Sequence, residues 1–151
     1  MVNFNLLEND LSDALWRLTR INEKHTSDIV LGQLRSFESL VHMFAQLANQ
    51  RFTDQATRKK IKRLAHRMDT GNRRRNDLIH GRWVAFGPKS SIIRFQQQPN
   101  IAKWRIIATS PSEIRGDAIK LIRTQLALRR FIAVIQKRND RDRRASLRKK
   151  S

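Results

Sequence analysis

The run RRRNDLIHGRW, Arg73–Trp83, is where the chain changes character. Before it, apolar residues recur every three or four positions, the spacing of one helical face. After Gly81 they cluster instead in WVAF, SIIRFQ and KWRIIAT, short β-branched or aromatic runs separated by GPKS and QPNIA. Such runs read as a small β-hairpin or three-strand meander. Gly81 suits the position just past a helix end, where a left-handed backbone is cheap for glycine. His80 then falls in the last helical turn.

Working outward, residues 4–22 carry Phe4, Leu7, Leu11, Ala14, Leu18 and Ile21 on one stripe. A second helix is predicted after His25, capped by Thr26 or Ser27, with Val30, Leu34, Phe37, Val41, Phe44 and Ala48 on its inner face. The two are expected to pack as an antiparallel pair. Thr53 is a candidate cap for a third helix bearing Ile61, Leu64, Ala65 and Met68, with Gly71 marking a break or bend. Ser110–Pro111–Ser112–Glu113 is a helix start: a capping serine, proline in the first turn, and a glutamate that reaches back. The helix that follows carries Ile114, Ala118, Leu121, Gln125, Leu128, Ile132 and Ile135, with Ile119, Ile122 and Phe131 widening the face. From Asn139 apolar residues almost vanish, and residues 139–151 read as a basic flexible tail. The expected fold class is mainly α. It is a four- to five-helix bundle over residues 1–138, with the β insertion at about residues 83–108, before the last long helix.

Charge narrows the function. The 151 residues carry 32 Lys and Arg against 13 Asp and Glu, a net charge of +19. Such an excess points to a polyanion, nucleic acid above all. Arginine predominates, and its planar fork suits phosphate. There is no cysteine, which removes disulfides and thiolate metal sites. No apolar run approaches the roughly 20 residues that cross a bilayer. The N-terminal residues carry acids rather than a basic signal-peptide start. The expectation is a cytoplasmic protein with no membrane partner.

The catalytic equipment is sparse. The four histidines are His25, His42, His66 and His80, and no two pair on one helical face. No glycine-rich phosphate loop is present, and no metal or cofactor is expected. Arginine and histidine nevertheless suffice for one reaction. RNA supplies its own nucleophile, the 2′-hydroxyl. A neutral imidazole can take that proton while a second group protonates the leaving 5′-oxygen. Arginine can stabilise the charge that builds on phosphorus.

Arg75, Asn76 and His80, in the order RNDLIH, resemble the Arg-polar-x3-His signature of the HEPN superfamily of small helical nucleases. The resemblance implies a homodimer whose two motifs face each other across a basic cleft. It implies a metal-independent endoribonuclease, often a toxin of a toxin–antitoxin pair or an antiviral defence effector, with an antitoxin partner as one mode of control. The residues carried over are Arg75, Asn76 and His80 as catalytic, with Arg73, Arg74 and Arg82 on the RNA backbone. Arg20–His25 and Arg35–His42 also satisfy the loose spacing. However, Ile21 rather than a polar residue follows Arg20, His25 falls in a predicted loop, and His42 is expected to pack along its helix. Some members carry a tyrosine after the histidine that a partner adenylylates. This chain has no tyrosine, so that control is not expected. The alternative is a non-catalytic, basic nucleic-acid-binding protein of HEPN-like fold. Trp16, Trp83 and Trp104, with Phe86 and Phe95, are read as packing residues before base-stacking ones.

Overall fold

A computed structural model describes residues 4–19, 36–80, 82–86, 91–97 and 104–148, with the side chains of residues 82–108 outside that description. The chain is mainly helical. Its elements are α1 (Phe4–Thr19), α2 (Phe37–Arg51), α3 (Gln55–His80), β1 (Arg82–Phe86), β2 (Ser91–Gln97), β3 (Trp104–Thr109) and α4 (Pro111–Arg148). The three strands form an antiparallel sheet in the order β1-β2-β3, with Val84 opposite Ile93 and Ile93 opposite Ala108. None of the described helices is long and apolar enough to cross a membrane.

The helical stripes build one core. Phe4, Leu7, Leu11, Ala14 and Leu18 of α1 are all buried, as is Leu15 beside them. Against them lie Phe37, Val41, Phe44 and Ala48 of α2, Ile61, Leu64 and Met68 of α3, and Leu128, Phe131 and Ile135 of α4. Each of the larger side chains contributes about 1.5–3 kcal/mol on leaving water. Ring contacts lock the helices together. Phe44 meets Phe131 edge-on at 5.7 Å, and Phe52, just past α2, lies 5.4 Å from the same ring. Ile119 and Ile122, expected to widen the inner face of α4, are instead about half exposed. They sit on the side of the helix opposite Leu128 and Ile135.

Three expectations are corrected. First, α1 and α2 run parallel, not antiparallel. Phe4 stacks near Phe37 at one end, with centroids 4.7 Å apart, and Arg51 donates to the Arg17 carbonyl at the other. α4 runs with α1 as well, since Asp10 meets Gln125 and Arg129 while Arg17 meets Gln136. Only α3 opposes them among the described helices.

Second, α3 is continuous through Gly71. The glycine is a packing device: a Cβ there would lie 3.1 Å from Leu121 Cδ1 on α4. The lost helix propensity is offset by close approach of the two helices.

Third, the segment from Asn139 is not an irregular tail but continues α4 to Arg148. No proline or glycine interrupts it, and Gln136 donates to Asp140 one turn on. Asn139 anchors it, accepting from the Arg51 guanidinium and donating to the Arg17 carbonyl at 3.2 Å. Arg51 also pairs with Asp142 at 3.5 Å, and its side chain is only 10% exposed. Asn139→Ala removes an acceptor from this nearly buried cation. It is expected to cost about 1–3 kcal/mol, read as a lowered urea midpoint.

The helix starts obey local chemistry. Ser36 caps α2 by accepting from the Ser39 N–H at 3.1 Å. The predicted Thr26 or Ser27 cap, with Ile21, Val30 and Leu34, lies outside the described residues. Asp54, not Thr53, caps α3. Its carboxylate accepts from the Thr57 N–H at 2.8 Å, and that bond holds its pKa below the ordinary value. Ser110 and Glu113 form the reciprocal box: the Glu113 N–H donates to Ser110 Oγ at 3.2 Å, and the Ser110 N–H to Glu113 Oε2 at 2.7 Å.

Candidate functional site

Arg73 to His80 make up the last two turns of α3. Successive residues rotate by about 100°, so the cations of this run are dealt to different sides of the helix. Arg73 reaches back to Asp69 at 2.9 Å and remains 72% exposed. Arg74 turns inward to α4 and binds Asp117 at 2.5 Å, with both side chains mostly covered. The Arg75 guanidinium lies over the Phe4 ring, 4.7 Å from its centroid, and donates to Asn76 Oδ1 at 3.2 Å. His80 is exposed at the helix end. Arg82 opens β1, and its side chain lies outside the description. Gly81 and the rings of Trp83, Phe86, Phe95 and Trp104 do too.

The structure brings together Arg75 and Asn76, and it places Asn76 and His80 one turn apart on the same side. It does not join Arg75 to His80 within a protomer. Five positions separate them, about 140° around the helix, and the contacts described for Arg75 are those with Phe4 and Asn76. The imidazole is open to a polyanion at the surface, while the guanidinium is held toward α1.

The competing histidines separate on position. His42 is exposed on α2 rather than packed along it. His25, Arg20 and Arg35 lie outside the described residues. Trp16 is half-buried, with the Arg17 guanidinium 5.4 Å from its ring centre.

Asp117 is not singled out by the sequence, because an acid in a mainly basic helix forms no motif by itself. Burial opposes its ionisation, yet the hydrogen bonds from Arg74 and Lys120 outweigh burial and hold its carboxyl below the usual carboxylate range. A depressed folded-state pKa stabilises the fold above the unfolded-state value of about 4. That contribution disappears as pH falls through the lower folded value. Urea midpoints between pH 7 and pH 3 should therefore drop on acidification. Asp117→Asn should lower the neutral midpoint and flatten the fall.

Beside the motif runs a cleft of about 680 Å³ between α3 and α4, lined also by Phe4 of α1. Leu78, Ile114, Ala118 and Leu121 line its floor, with Ile79 exposed at the motif end, and Arg67, Arg74, Arg75, Lys120 and Arg123 stand around it. Arg67 and Arg123 lie outside the motif, and nothing in the sequence singles them out. The only signal was Gly71, whose missing side chain sets the spacing of the two walls. No family model, curated protein or solved structure matches this chain.

Proposed function

We propose that this chain is a HEPN-type, metal-independent endoribonuclease. It acts as a cytoplasmic homodimer that cleaves RNA through 2′-hydroxyl attack. The observation that carries the reading is His80. It is an exposed imidazole ending a helix, one turn after Asn76 and five residues after the three consecutive arginines Arg73, Arg74 and Arg75. His80 serves as base or acid, Arg75 stabilises the charged phosphorus, and Asn76 orients the guanidinium it already accepts from. Arg73 and Arg82 hold the RNA backbone. Arg74 adds its field from within the Asp117 pair. A two-fold axis near the helix end supplies the second imidazole and brings each Arg75 toward the other protomer's histidine. The biological setting proposed is a toxin or antiviral defence effector, with restraint by an antitoxin partner one form of control.

One observation favours a second reading. Arg75 is engaged by Phe4 and Asn76 rather than by His80, as suits a non-catalytic helical protein that only holds nucleic acid. Incubating the purified chain with end-labelled RNA in EDTA decides between them. Cleavage to a 2′,3′-cyclic phosphate and a 5′-hydroxyl, with the matching DNA intact, supports the nuclease. Salt-sensitive binding of uncut RNA supports the alternative.

A further inference from the structure

We propose that the α3–α4 cleft binds an amphipathic anion: a long aliphatic chain ending in a carboxylate. The inference stands apart from the nuclease reading, and four features of the cleft carry it.

Its size comes first. About 680 Å³ falls within the range of small-molecule sites, which are concave and mainly apolar with a few placed polar groups. The α3 wall extends from His66 to Ile79, about 20 Å along the helix axis. That is room for a chain of fatty-acid length.

The floor is aliphatic. Leu78, Ile114, Ala118 and Leu121 offer no ring on which a nucleobase could stack. Among the described residues two rings reach the cleft: Phe4, which already has the Arg75 guanidinium over its face, and the exposed imidazole of His66 on the rim. Ile79, 57% exposed at the motif end, extends the apolar surface to the cleft mouth.

The rim is cationic, and its one acid is already answered. Asp117 is paired by Arg74 and Lys120. Arg67 and Arg123 stand exposed on opposite walls, and neither has an ion-pair partner among the described residues. A carboxylate between them gains charge-assisted hydrogen bonds from planar forks.

Finally, the cleft and the motif share side chains. Arg74 and Arg75 belong to both, so the cleft is cationic at its motif end as well.

The test is calorimetric titration of the full chain with tetradecanoate below its micelle concentration. Raised salt suppresses loose ion pairing to so basic a surface. Saturable one-to-one binding is expected. Ala118→Trp, which fills the floor, should weaken it at least about tenfold, a loss of about 1.4 kcal/mol. The double change Arg67→Glu and Arg123→Glu lies on the exposed rim, where folding is not at stake. It should weaken tetradecanoate but leave tetradecanol alone. Tetradecyltrimethylammonium should not bind. Circular dichroism confirms that each variant is folded. Multiple weak binding that neither variant changes would overturn the proposal, as would equal binding of inorganic phosphate or of an acidic peptide in place of the fatty acid. His80→Ala should bind tetradecanoate as the parent chain does, so failure of the nuclease reading and failure of this one are read separately.

Discussion

His80→Ala should abolish RNA cleavage while leaving RNA affinity unchanged. A positioned acid or base contributes about 10²–10⁴-fold to rate, and the effect is expected in that range or beyond, because in the proposed dimer both imidazoles are lost together. Folding is not at risk, since the side chain is exposed at the helix end. Affinity survives because it comes from the arginines, whose phosphate contacts the change leaves in place. Arg75→Ala should differ. It removes the charge facing phosphorus and also the cation–π contact with Phe4, worth about 0.5–1 kcal/mol. Cleavage, RNA affinity and stability should therefore all fall. The measurements are single-turnover cleavage of labelled RNA in EDTA and filter binding at several salt concentrations. If Arg75→Ala weakens binding and His80→Ala changes nothing, the site only holds nucleic acid.

Phe44→Ala should lower stability by about 3–5 kcal/mol, the cost of removing a buried ring and leaving a cavity. Phe44 has no exposed surface, meets Phe131 edge-on and sits where α1, α2 and α4 converge. Against a total of about 5–15 kcal/mol for a domain of this kind, the variant stands close to unfolding at 37 °C. Urea denaturation reads the shift as a lower midpoint at constant slope. His42→Ala is the internal control. It lies on the same helix but points to solvent, and it should stay within about 0.5 kcal/mol of the parent chain. A loss at His42 as large as that at Phe44 would mean that the inner and outer faces of α2 are misassigned.

What was legible in the sequence is what depends on neighbours a few residues apart. Helical period put Leu7, Leu11, Phe44, Ile61 and Leu128 inside, because a residue's face is settled by its spacing from the next apolar one. The Ser110–Glu113 box was readable because both its bonds span three residues. His80 ending its helix followed from the glycine after it. Where two local signals competed, reading could fail: Thr53 and Asp54 both suit a cap, and the carboxylate took it.

Tertiary structure alone decided what depends on residues distant in the chain. The parallel course of α1 and α2 shows only when Phe4 meets Phe37 and Arg17 meets Arg51. Asn139 holds a polar segment in the helix because Arg51, nearly buried, requires an acceptor there. Gly71 looked like a break because period carries no information about Leu121 on another helix. Arg75 was read toward His80, five residues on, but rests on Phe4 at the other end of the sequence. Short-range order is written in each segment's own period and caps, whereas the partner of a long cationic side chain is settled by whichever surface the fold carries to it.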